Sequence, residues 1–478
     1  MHIEIAIVII IRIVMVARMY RLDKVIDMAG RYVQDMTNGR ELSLLVKFSI
    51  PMLIGNIFQQ FYNMVDSIVV GNYVGPNALA AVGATGSINF LFFSLCMGMS
   101  VGIGILISQY FGAGDEEYVK RTIANTIYVT AVTGIAMSIA GVLLARPILT
   151  LLQTPAAILD DAVAYMQIAC AGILAVAAYN AISAILRALG DSRTPLIFLV
   201  VASIINVGLD LLFVIQFELG VRGVAYATII AQVIAAIGSL IFAKIKIPYF
   251  TLEKRYFVYD IEIVKRCIAL GVPIAAQSAL IAVSCIILQA VVNGFGESVV
   301  AAFTATSRIE QLVQQPFNSI GAAISTFTGQ NIGANKMDRV KTGYHKSIAL
   351  VAGFSIVMMI LAWAFGYYIM RLFVNDQEVI NLGVVALRIT STMYFPLGMI
   401  YITRGLLNGS GDAFYAMING VVELVGRIVF PICLVTLPLI GVWGIWYSTG
   451  FTWIITAVAS IIRYRQGKWK YKSVVAPA

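Results

Sequence analysis

Along most of this chain the apolar residues come in long runs, not on one face of a repeat. Ile197 to Phe217 and Ser347 to Phe365 are two of them. At about 20 residues each, they match a helix crossing a hydrocarbon core about 30 Å thick. Short polar stretches rich in glycine, proline and charge separate the runs. Dividing the chain there predicts twelve helices, over 44–72, 78–111, 121–146, 158–187, 195–217, 222–245, 262–293, 298–331, 341–372, 378–406, 412–437 and 441–463. Met1 to Val16 is apolar too, but Glu4 and Arg12 interrupt it, and no small-residue cleavage site leads into the polar stretch Arg18 to Arg40. Residues 1–35 therefore read as an interfacial N-terminal extension, or as sequence upstream of a start at Met36.

Composition agrees with this pattern. Hydrophobic residues make up 60% of the 478 and charged residues only 12%, about half the charge of a soluble domain. So few charges cannot cover a water-facing surface of this size. The placement of the 33 Lys and Arg residues then sets the topology. With twelve helices, 27 fall on the side that holds both termini, three (Arg146, Arg222 and Arg371) on the other, and Arg308, Arg388 and Arg427 inside helices. The positive-inside rule puts both termini in the cytoplasm of a bacterial-type cell. The net charge of +9 is thus a topogenic and lipid-facing signal, and nucleic acid is not an expected partner. Cys96, Cys170, Cys267, Cys285 and Cys433 lack CxxC spacing and read as small buried hydrophobes; His2 and His345 are too few for a histidine metal site.

Shifted by 221 residues, the chain matches itself. Gly75 falls on Gly296, Thr85 on Thr306, Gln109 on Gln330, Gly112 on Gly333, Lys120 on Lys341, Gly190-Asp191 on Gly411-Asp412 and Tyr226 on Tyr447. Each half has an even number of helices, so both share one orientation. The expected fold is an all-α integral membrane protein, two six-helix bundles related by a pseudo-twofold axis along the membrane normal. The N-lobe (TM1–TM6) is expected over 36–253 and the C-lobe (TM7–TM12) over 254–478. In the Gly-Asp turns, glycine ends one helix in a left-handed conformation and aspartate caps the next.

Ionisable residues inside membrane helices are costly and mark function. Here they are Asp66, Asp210, Arg308, Glu310, Arg388, Glu423 and Arg427. Asn206 and Asp210 are four apart and share a helix face, as do Tyr62 and Asp66. If the first and fifth helices meet, these form one polar cluster. A buried carboxylate can exchange a proton near neutral pH, or pair with a cation. Glu423 and Arg427, also four apart, form a candidate C-lobe polar pair, and an internal ion pair is the plainer reading of it. The roles of Arg308, Glu310 and Arg388 stay open.

The motifs Gln59-Gln60-Phe61-Tyr62-Asn63-Met64-Val65-Asp66-Ser67, Gln109-Tyr110-Phe111-Gly112-Ala113-Gly114, Arg187-Ala188-Leu189-Gly190-Asp191-Ser192-Arg193-Thr194-Pro195, Asn206 to Asp210 and Gly220-Val221-Arg222-Gly223 resemble those of the MATE (multidrug and toxic compound extrusion) family over about residues 36–465. The resemblance implies two bundles in a V and export of organic, often cationic, compounds or drugs in exchange for protons or sodium by alternating access. It implies a coupling site at Tyr62, Asp66, Asn180, Asn206, Asp210 and Thr228. One branch of the family also uses acidic residues in the seventh and tenth helices; here those helices offer Gln277, Ser278, Arg388, Thr390, Ser391 and Thr392. A second cation site of that kind is not expected. Phe58, Phe61, Gln277, Met393, Tyr394 and Phe395 are candidates for the substrate cavity. No cofactor and no metal are implied beyond the coupling ion. The partners expected are small organic substrates and membrane lipids, with the protein a monomer. Two other readings stand beside this one. A lipid-linked oligosaccharide flippase would gather Arg308, Arg388 and Arg427 in one cavity. A membrane-embedded enzyme is disfavoured by the absence of a nucleophile elbow, an HExxH or an Asp-rich metal motif.

Overall fold

The computed structural model describes residues 32–475. The expected N-terminal extension thus lies, save its last four residues, outside the described residues. Among the described residues there is no strand. The helices are α1 (Glu41–Val69), α2 (Pro76–Gly112), α3 (Glu116–Leu151), α4 (Ala156–Ala171), α5 (Ile173–Ala188), α6 (Arg193–Leu211), α7 (Gly220–Lys246), α8 (Ile261–Val292), α9 (Glu297–Gly333), α10 (Met337–Arg371), α11 (Gln377–Ser391), α12 (Tyr394–Ser410), α13 (Ala413–Val435) and α14 (Gly444–Gln466).

Two expected helices, 158–187 and 378–406, are bent pairs. Helices α4 and α5 meet at 44°, and α11 and α12 at 51°. Gly172 makes the first bend, where a Cβ would lie 2.3 Å from Ile229 Cγ1. Met393 leaves helical geometry at the second (φ −111°, ψ 13°). By length and composition nine helices among the described residues can cross a membrane, or eleven if each bent pair is one span. The remaining expected helix, 298–331 (α9), falls short because Arg308, Glu310, Gln311, Gln314 and Gln315 lie along it.

The 221-residue repeat recurs in the backbone. Gly75 (φ 115°) and Gly296 (φ 90°) precede the two 37-residue helices α2 and α9, and Gly190 and Gly411 have φ of 90° and 92°. Only glycine takes such angles without strain. After Gly190, Asp191 caps the next helix by accepting from the N–H groups of Arg193 (2.9 Å) and Thr194 (3.0 Å). After Gly411 the capping expectation fails, because Arg463 takes the Asp412 carboxylate through two bonds of 2.7 and 3.0 Å.

The two chain halves meet along α2 and α8. A Cβ on Gly98 would lie 2.5 Å from Ala275 N, and one on Gly102 would lie 2.7 Å from Gly271 N. Small residues spaced by four let the two backbones touch, the usual way membrane helices gain van der Waals contact. A second junction closes the face that carries the chain ends. Gln109 donates to Gly409 O (2.9 Å) and accepts from Val474 N–H (2.8 Å). Its repeat partner Gln330 donates to Ala188 O (2.8 Å) and accepts from Met36 N–H (2.8 Å). Each glutamine therefore ties its own half to the other half's Gly-Asp turn and to one terminal segment.

Candidate functional site

In the N-terminal half α1, α6 and α7 converge on a small polar centre. Asp66 comes from α1 and Asp210 from α6, and the two carboxyl groups are within hydrogen-bonding reach of each other. Tyr62, one turn before Asp66, reaches Asp66 and also Thr228 on α7. Asn206 is almost wholly buried. With its amide turned to satisfy both ends, it donates to Asp66 Oδ1 at 2.9 Å and accepts from Thr228 N–H at 3.2 Å. Asp210 is 0% exposed, and its Oδ1 has no hydrogen-bond partner. Among the described residues, no basic side chain acts on either carboxylate. Two carboxyl groups in contact, without a counter-charge, cannot both stay ionised at low cost.

Local backbone explains the placement. Just beyond Asp66 and Asp210, α1 and α6 widen into π-helical turns, Val70–Val74 and Leu212–Gln216. Such turns re-aim side chains and recur at functional sites. Val69, Val70, Ala78, Val214, Val221 and Val224 form an apolar cluster beside these turns. Toward the chain ends the seam opens into a polar pocket of about 130 Å³.

Asn180 belongs to that pocket. Its amide donates to Val176 O (2.9 Å), and it lines the space with Asn56, Gln59, Arg187 and Gln232. Five of the six expected coupling residues are thus gathered, and Asn180 stands apart from the carboxylates. Tyr165 on α4 was not expected: it lies close enough to Asp66 and Asp210 for their charges to act on it. No residue spacing links it to them, since it arrives through the α4–α7 packing.

The expected substrate-cavity residues are scattered. Gln277 is buried and donates to Ala416 O (2.6 Å), a helix–helix bond. Tyr394 is buried beside Trp453, at 6.3 Å between ring centroids. Met393 packs where a Cβ on Gly450 would sit. Phe58 is half-buried, while Phe61 and Phe395 are exposed. A second cavity, about 300 Å³, lies in the C-terminal half and holds Glu310, Arg404, Glu423 and Arg427. Glu423 pairs with Arg427 at 3.1 Å and also with Arg404 at 3.2 Å. The topology count places Arg404, near the end of the expected helix 378–406, among the 27 basic residues of the terminal side; α12 runs on to Ser410, and Arg404 lies within it, paired with Glu423. Arg308 is exposed, and Arg388 lies over the Trp363 ring at 5.8 Å. The three arginines do not converge in one cavity, contrary to what the flippase reading expected. Cys285 and Cys433 are exposed, unlike the other three cysteines, and Cys285 borders this cavity.

A sequence profile of the MatE family matches residues 51–212 and 273–432. The chain is 30% identical over 437 residues to the "Probable multidrug resistance protein YpnP" of Bacillus subtilis (strain 168), covering 91% of this chain and 97% of that one. It is 23% identical to the "Probable multidrug resistance protein NorM" of Thermotoga maritima, over 90% of this chain and 94% of that one. Among solved structures it resembles one described as "Outward-facing conformation of a multidrug resistance MATE family transporter of the MOP superfamily", with a TM-score of 0.86, 24% identity, and coverage of 92% of this chain and 99% of the other. These relatives are membrane transporters, not enzymes. With two matched segments, one per repeat, and a relative 30% identical over nine-tenths of its length, the chain belongs to the MATE family of multidrug efflux transporters.

Proposed function

We propose that the protein exports organic compounds, cationic ones among them, in exchange for protons or sodium ions by alternating access. The observation that carries this reading is the contact between Asp66 and Asp210, buried without a counter-charge and braced by Asn206, Tyr62 and Thr228. A carboxylate pair of this kind has a use for one proton or one sodium ion. Loading it removes the like-charge contact and frees Asn206 and Tyr62 to change partners. That rearrangement lowers the affinity for a bound organic compound, which leaves on the side from which the ion came. A difference in affinity between two states is what drives such a cycle.

The basic residues on the terminal side support cytoplasmic termini in the cytoplasmic membrane of a bacterial-type cell. With that orientation the glutamine junction lies across the cytoplasmic face. Residues 36–253 and 254–478 are the lobes that rock against each other in this scheme. The protein acts as a monomer on small molecules, with membrane lipids around it and no cofactor besides the coupling ion.

The test is ethidium efflux from energised cells lacking their own drug pumps, with the protein, Asp66→Asn or Asp210→Asn at matched expression. The reading expects efflux from the native protein and loss of it in both variants. Efflux that survives both substitutions overturns the coupling site.

A further inference from the structure

The scheme above leaves the buried charges of the C-terminal half unused. On α13, Glu423 spends both oxygens: Arg427 Nη2 holds Oε1 at 3.1 Å and Arg404 Nη2 holds Oε2 at 3.2 Å. Two guanidinium groups thus share one carboxylate, and the triad keeps one positive charge. The Nε atoms of Arg404 and Arg427 are buried without a hydrogen-bond partner. On α9, Glu310 faces the same cavity of about 300 Å³, in contact with Thr390, and its Oε1 likewise lacks a partner. The walls mix apolar and aromatic side chains, Leu288, Phe303, Leu397 and Trp453 among them, with polar ones such as Gln311 and Gln314.

Buried groups left without hydrogen bonds carry their full desolvation cost, and in native proteins each calls for a reason. A ligand that met both poles would satisfy donors at one end and an acceptor at the other. A simple cation would lie against the positive triad, and a simple anion against Glu310. We propose that this cavity is a binding site for amphoteric organic compounds. The ligand's carboxylate or similar anion pairs with Arg404 and Arg427, its cationic nitrogen with Glu310, and its carbon skeleton lies on Phe303 and Trp453. The volume is at the lower end of small-molecule sites. This deepens the export reading and rests on it for the direction of transport, but binding itself does not depend on it.

The test uses the full-length protein in lipid nanodiscs and two dyes that differ by one methyl group. Rhodamine 110 carries a cationic xanthene and a free carboxylate; rhodamine 123 is its methyl ester, a cation only. Fluorescence polarisation should show rhodamine 110 bound about tenfold more tightly, the effect of a hydrogen bond to a charged group. Arg404→Gln leaves Glu423 paired with Arg427 and should erase the preference. Arg404→Lys should restore most of it, and Glu310→Gln should weaken both dyes. Equal binding of the two dyes by the native protein overturns the proposal, and that comparison needs no variant to fold. So does a preference that survives Arg404→Gln unchanged. A dye preference in a protein that drives no ethidium efflux would sink the export reading and leave the cavity; efflux without the preference would do the reverse.

Discussion

Replacing Gln330 by alanine should open the junction at the terminal face. The side chain makes two buried bonds of 2.8 Å there, to Ala188 O and from Met36 N–H. Alanine leaves that carbonyl and that N–H buried and unpaired, at about 1–3 kcal/mol each, so the closed arrangement loses about 2–6 kcal/mol. In an arrangement opened at this face, water takes up both groups and the loss vanishes. At 1.4 kcal/mol per factor of ten, the closed-to-open ratio falls by about 30- to 20,000-fold. Electron–electron distance measurement would read this directly, with spin labels at Glu117→Cys and Asp338→Cys in a protein otherwise without cysteine. Both positions are exposed on the terminal face, one in each half. The label distance should lengthen in Gln330→Ala, and again in Gln109→Ala, whose side chain makes the matching bonds. An unchanged distance distribution in both variants refutes the reasoning.

Other outcomes follow from single contacts. Gly98→Ala forces a Cβ to within 2.5 Å of the α8 backbone; it should destabilise the protein by about 1–3 kcal/mol, seen as a lower thermal midpoint in detergent. Asp412→Asn strips Arg463 of its buried partner and should cost about 3–5 kcal/mol. Asp191→Asn keeps an oxygen to accept the two cap bonds and should cost less than about 1 kcal/mol, so a reversed order in thermal unfolding contradicts this account of the two turns. Asn206→Leu removes the 2.9 Å bond to Asp66 and should cut transport about tenfold, the loss expected for a bond to a charged group. Asn180→Leu, outside the carboxylate contacts, should cut it less at equal expression.

Much of this architecture is legible in the chain because membranes impose simple rules. Apolar runs give spans, and the repeat at 221 residues gives two like halves. Local spacing also found Tyr62 with Asp66 and Asn206 with Asp210, because residues four apart on a helix share a face. Contacts set by how helices bend and cross were out of reach. Tyr165 meets the carboxylates only through packing of α4. Arg404 on α12 meets Glu423 on α13 only through helix crossing, 19 residues apart in sequence and with no shared spacing. Gln277 illustrates the opposite error. A polar residue on an apolar helix reads as a pocket lining, yet its amide is spent on Ala416 O between α8 and α13.

Reconstitution tests the coupling centre most directly. Purified protein would be placed in liposomes with a proton or a sodium gradient imposed in turn, and ethidium movement followed by fluorescence. One of the two gradients should drive ethidium against its own gradient in the native protein. In Asp210→Asn the gradient should have no effect while ethidium still binds. Gradient-driven movement that persists in Asp210→Asn at the native rate would contradict the assignment of the Asp66–Asp210 pair as the site where ion and drug are exchanged.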